Sequence, residues 1–193
     1  MDGFDGFDWL NTTADAHLDK ARTADINQLR ILARSYDWRL FPEELLGWVM
    51  AQKAIDLGSA LTAFLNGEPE RFNYIPKRDV PEKYRGTVRV LDNICQRVNS
   101  GFYLSIPGCQ AKQSSRLKKW LSYQDVDRSE RLRGRWILEE DVLHSLQTDA
   151  LKLSPDAAAA PRKDQSSLLR DVLSPVAELG VQREYLKYLP QGY

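Results

Sequence analysis

The sequence predicts an all-α or predominantly α fold: a compact antiparallel bundle of short helices with at most a minor β element. Three observations carry that prediction. Apolar residues recur three and four apart in segment after segment. Asp, Pro and acidic pairs stand where such segments begin, and Gly where they stop. The best candidate strand, Phe102-Tyr103-Leu104-Ser105-Ile106, is cut off by Pro107-Gly108, and one isolated strand is not stable alone.

The elements follow in order. Asp25 with Gln28 three residues on is a capping-box variant, and Ile26, Leu29, Leu32, Ala33 and Tyr36 recur behind it on one face. Asp37-Trp38 closes that helix. Pro42-Glu43-Glu44 opens the next, with proline at a first helical position and acids where the helix dipole favours them. Leu45, Leu46, Trp48, Val49 and Met50 cover more than half of its circumference, which predicts a helix sandwiched between neighbours. A third helix starts at Asp56, runs through Leu57, Ala60, Leu61, Phe64 and Leu65, and should stop on a left-handed Asn66-Gly67.

From Glu68 to Val80 the chain reads as a loop, with a short extended piece at 72–75. Pro81 opens a long helix with an apolar seam of Tyr84, Val88, Leu91, Cys95 and Val98, ended by Gly101. A basic stretch from Gln110 to Arg135 precedes a helix around Leu138, Val142, Leu143 and Leu146. SPDAAAAPRKD then reads as a linker, so the expected organisation is a main helical domain over 1–153, an Ala/Pro-rich linker or loop over 154–165, and C-terminal amphipathic helices over 166–193. No repeat at a standard solenoid period is present.

Composition bounds the function. With 193 residues, 42% hydrophobic and 28% charged, the chain can bury a sizeable core without a disulfide or metal staple. Its 27 basic and 27 acidic residues cancel, so no global field favours nucleic acid or a membrane. The N-terminus is acidic and lacks the basic and apolar regions of a secretory signal, and no apolar run is long enough to span a membrane. These features predict a cytoplasmic protein. Cys95 falls on an apolar stripe and reads as a small buried hydrophobe, not as the partner of Cys109.

Catalytic constellations are thin, and the reading leans away from an enzyme. Cys109 has only His144 as a plausible base, Ser115 and Lys118 fit a Ser-x-x-Lys spacing without its companion motifs, and no glycine-rich phosphate loop is present. Asp15, His17 and Asp19 alternate as metal ligands could, but the chain's two histidines give little material for a site, so a solvated acidic N-terminus is the expectation. No catalytic residue, metal or cofactor is assigned. The expected partner-binding residues are Lys112, Arg116, Lys118, Lys119, Trp120, Tyr123 and Arg131, where cations interleave with aromatics. Trp38 and Trp48 lie inside apolar patterns and are expected in the core. Trp120 flanks charges and is expected as the exposed interface anchor.

The stretch from about Ile26 to Tyr103 resembles a bacterial family, domain of unknown function 4274. The motifs that carry the resemblance are the turn Tyr36-Asp37-Trp38, the acidic start Pro42-Glu43-Glu44, and the run Asp56-Leu57-Gly58-Ser59-Ala60-Leu61-Thr62-Ala63-Phe64. The resemblance implies a small helical protein without an established activity, of the kind that accompanies bacterial toxin systems as immunity protein or adaptor. Its expected partner is a protein such as a toxin or effector. The alternatives are a nucleic-acid-binding accessory protein using the basic 112–135 stretch, and an enzyme with an unrecognised site.

Overall fold

A computed structural model of the chain describes Phe4 and residues 6–106, 114–139 and 141–143. Lys112, Cys109, His144, the expected linker 154–165 and the expected helices of 166–193 lie outside the described residues. The architecture is all-α, as the spacing predicts. The helices are α1 (Ala14–Arg22), α2 (Ile26–Ser35), α3 (Gly47–Val49, continuing a π-helical turn Pro42–Leu46), α4 (Leu57–Asn66), α5 (Arg85–Asn99) and α6 (Ser114–Ser129).

α4 is the centre. All its residues from Leu57 to Leu65 are buried, with α2, α5 and α6 packed around it. Its first turn is held by Asp56, a fully buried carboxylate that accepts hydrogen bonds from the Ser59 backbone (2.8 Å) and hydroxyl (2.6 Å). Arg30 and Arg34 of α2 each approach Asp56 to 3.4 Å, so the charge is paired where water cannot reach it. α2 carries the expected capping box in full, with Asp25 and Gln28 each bonding the other's backbone.

Several expectations are corrected. Residues 14–22 form a helix rather than a solvated tail, and His17 is fully buried. Thr13 caps that helix through Ala16 N–H (3.3 Å), and its buried residues are His17 and Ala21, a stripe too short and too weakly apolar to stand out. Gly67 is not left-handed (φ −73°); Glu68 takes that conformation at φ 51°. Gly67 is required instead for close approach, since a Cβ there would lie 2.8 Å from Leu91 Cδ2 and from Trp38 Cη2.

The extended piece expected at 72–75 is a turn, closed by Ile75 N–H to the Phe72 carbonyl (3.1 Å). Of the candidate strand 102–106 only a single parallel bridge forms, between Leu104 and Asp56. Ile26, expected in the core, is 54% exposed at the first position of α2. Gly101 ends α5 with φ +70°, as expected. Cys95 is a buried free thiol whose pKa burial pushes up to about 11, which suits packing and not reactivity. No helix among the described residues is long and apolar enough to cross a membrane.

Candidate partner-binding face

α6 turns out the reverse of the expected arrangement. Trp120, expected as the exposed anchor, is only 4% exposed, sits edge-on to Phe64 (5.4 Å between ring centres) and donates its indole N–H to Gln124 (2.9 Å). The reason is helical geometry: Lys118 and Lys119 are neighbours in sequence but project about 200° and 100° away from Trp120. The face that turns inward is Trp120, Gln124 and Asp127, spaced four and three apart. Trp38 and Trp48, expected in the core, are half-buried.

The remaining expected residues separate by role. Lys118, Lys119 and Arg131 are exposed, and Arg131 takes the left-handed conformation (φ 56°) just past the end of α6. The Lys119 ammonium lies 5.7 Å from the Tyr123 ring centre. Arg116 is bonded to Glu70 at 2.8 Å. Arg116, Lys119, Trp120 and Tyr123 line one cavity of about 260 Å³, in which neither the Tyr123 hydroxyl nor Glu70 Oε2 meets a hydrogen-bond partner among the described residues. Trp120, Tyr123 and Arg131 line a second hollow of about 280 Å³. Lys118 borders neither.

That second hollow is closed by a segment that sequence reasoning missed. Residues 132–139 belong to no helix, yet Gly134, Trp136 and Leu138 are buried while Arg133, Ile137 and Glu139 face outward, the alternation of an extended chain. No strand among the described residues pairs with its backbone. Beyond Leu132, whose N–H reaches the Asp127 carbonyl (2.8 Å), three carboxamide residues supply the partners. Gln124 behaves as a peptide group: its Oε1 accepts from Leu138 N–H (2.8 Å) and its Nε2 donates to the Leu138 carbonyl (3.1 Å). Asn99 of α5 repeats the pattern from another helix, donating to the Ile137 carbonyl (2.7 Å) and accepting from Glu139 N–H (3.0 Å). Asn73 accepts from Arg135 N–H through its backbone (2.7 Å) and from Trp136 N–H through its side chain (3.1 Å).

Asp92 completes the fastening. It receives Arg135 through two nitrogens (2.9 and 3.0 Å) and the Trp136 indole N–H (2.8 Å). A Cβ at Gly134 would collide with the Asn73 carboxamide, so glycine is what lets the segment lie against it. The sequence signal was present only as Asn73, Asn99 and Gln124 in positions that read as polar surface.

Two other regions were candidates. A hollow of about 910 Å³ is walled by Trp38, Phe41, Glu43, Arg71 and Tyr84. Much of its charge is internally paired, with Arg39 on Asp37 and Arg71 on Glu68, each at 2.7 Å, and Glu43 bonded to Arg89. His17 is ringed by Phe7, Trp9, Tyr36 and Phe41. Its Nδ1 meets the Tyr36 hydroxyl (2.7 Å) and its Nε2 meets Thr12 Oγ1 (3.0 Å). Since Thr12 donates to the Asp8 carbonyl (2.6 Å), it must accept from the histidine, which places the proton of the neutral ring on Nε2. No group of three or more His, Cys, Asp or Glu among the described residues could hold a metal ion.

Comparison of the chain with family models, with curated proteins and with solved structures finds no match.

Proposed function

We propose that this chain is a non-enzymatic protein-binding module of the immunity or adaptor kind, which blocks a cognate partner such as a toxin or effector by covering its surface. The observation that carries the reading is the composition of the outward face of α6 and of the segment after it. Lys118, Lys119, Arg131 and Arg133 are exposed there beside the exposed aliphatic side chains of Val126, Leu132 and Ile137. Cations steer an acidic protein surface into register, and aliphatic contacts add the desolvated area that holds it.

Burial of Trp120 weighs against the nucleic-acid alternative. That reading needs aromatic faces on which bases can stack; of its two rings Trp120 is covered by Phe64, and only the half-buried Tyr123 is left. The resemblance of residues 26–103 to domain of unknown function 4274 is a further reason to expect a bacterial binding protein.

Capture of partners by the tagged full chain from its native lysate, with and without nuclease, tests the proposal. The reading predicts a stoichiometric protein partner that survives nuclease and is weakened by Lys118→Glu with Lys119→Glu. Capture that depends on nucleic acid would replace it with the nucleic-acid reading, whose mark is a steep loss of affinity with salt.

A further inference from the structure

Three shallow depressions meet at Arg133. One, of about 280 Å³, lies between α6 and the return segment and is bordered by Leu132 and Ile137. A second, of about 340 Å³, follows α5 past Asn99 to Glu139. The third, of about 500 Å³, runs toward Ile75, Pro76 and Lys77. Arg133 lines all three, so they form one continuous surface with that residue at its centre.

The charges on this surface divide into spent and unspent. Arg135 is committed to Asp92, and Arg128 to Asp125 (3.3 Å). Lys77, Arg131 and Arg133 pair with no acid among the described residues, and Glu139 at the far edge is the opposing exposed charge. Between the unspent cations stand Leu132, 49% exposed, and Ile137, 36% exposed. Isolated exposed aliphatics are ordinary on a protein surface, but these two line the same depression as the unpaired arginines. The aromatic floor beneath, Trp120 and Trp136, is 4% and 2% exposed, and Tyr123 at its border is half-buried.

We propose that the surface centred on Arg133 docks an acidic peptide segment of the partner that also carries aliphatic side chains, with Lys77, Arg131 and Arg133 receiving its carboxylates and the Leu132–Ile137 hollow receiving an aliphatic group. This inference rests on the protein-binding reading and locates its contact. Charge complementarity sets the partner's sign, and the apolar hollow sets its second requirement. The fastening of residues 134–139 by Asn73, Asn99, Gln124 and Asp92 holds the surface in its binding shape before a partner arrives, so little ordering cost remains at docking.

The test is fluorescence anisotropy of the full chain at low ionic strength with a labelled peptide alternating Glu and Leu, its Glu–Ser counterpart, and a single-stranded oligothymidylate. Thermal melts confirm that each variant is folded. The Glu–Leu peptide should bind about tenfold more tightly than the Glu–Ser peptide, the worth of burying one aliphatic side chain. Lys77→Glu with Arg133→Glu should lower that affinity about tenfold or more, and Lys118→Glu with Lys119→Glu should lower it much less. Equal binding of the two peptides would remove the aliphatic subsite, and tighter binding of the oligonucleotide would assign the surface to nucleic acid. Loss confined to the Lys118/Lys119 variant would overturn this location while leaving the protein-binding reading intact. Failure of both acidic peptides to bind would overturn the docking surface, while the protein-binding reading stands or falls on the capture of a nuclease-resistant partner.

Discussion

In α4 every residue from Leu57 to Leu65 is buried and the helix satisfies its own backbone; in residues 132–139 no strand among the described residues pairs with the backbone, and Asn73, Asn99 and Gln124 bond it at Arg135, Trp136, Ile137, Leu138 and Glu139. The two regions touch, since Phe64 of α4 lies edge-on to both Trp120 and Trp136. Their tolerances differ. Apolar packing is lost methylene by methylene, so a core substitution costs in proportion to the volume removed. A carboxamide standing in for a strand is lost all at once, because its removal leaves several buried polar groups unpaired.

The comparison can be broken at its strongest point first. Phe64→Ala removes a fully buried ring that supports both tryptophans, and should cost about 3–5 kcal/mol in denaturant unfolding. A loss under about 1 kcal/mol would mean that α6 and the return segment do not pack on α4 as described. Gln124→Ala should come next, at about 2–3 kcal/mol, because it strands the Leu138 N–H, the Leu138 carbonyl and the Trp120 indole N–H. Gln124→Glu should be at least as harmful, since it replaces the donor to the Leu138 carbonyl with a carboxylate oxygen.

A pH dependence sharpens the comparison at the N-terminal end. Burial holds the His17 pKa below its ordinary 6.5, partly offset by the Trp9 carbonyl, so the folded protein binds the neutral ring in preference. The unfolded chain therefore takes up its proton first as pH falls. The contribution of His17 to stability is fully present above pH 6.5 and is lost as pH falls through the depressed folded value. Melting temperatures followed from about pH 8 to 5 should decline in the wild type and decline less in His17→Gln, which cannot protonate. Identical profiles would contradict this account of the site.

The smallest expected effect is on surface charge. Lys118→Glu with Lys119→Glu should change stability by less than about 0.5 kcal/mol, because neither cation has an acid partner among the described residues, where Lys119 gives up its contact with the Tyr123 ring.

Legibility in the sequence follows the same division. α2 and α4 were readable because their signals are local: the Asp25/Gln28 capping box, the Asp56 cap, and apolar residues three and four apart. α1 was missed because alanine and histidine make a weak stripe. Its histidine is buried by rings from Phe7, Trp9, Tyr36 and Phe41, contacts that local spacing does not encode. The candidate site was legible only in part. The basic residues of 116–131 were visible, but the inward turn of Trp120 depends on its partners Phe64 and Gln124. The return segment stayed hidden because the groups that pair with it are single carboxamides at 73, 99 and 124, each ordinary in its own neighbourhood. Lys77 and Arg133 gained meaning only once Gly134 had brought the segment against Asn73.

The central claim is that the proposed binding face is built on an extended segment whose backbone from Trp136 to Glu139 is held by side-chain carboxamides, and native-state hydrogen exchange in wild type and Gln124→Ala tests it most directly. The account predicts that the Leu138 amide is protected in the wild type and loses protection in the variant well beyond any loss at Leu61 in α4. An unprotected Leu138 amide in the wild type, or equal losses at Leu138 and Leu61, would contradict it.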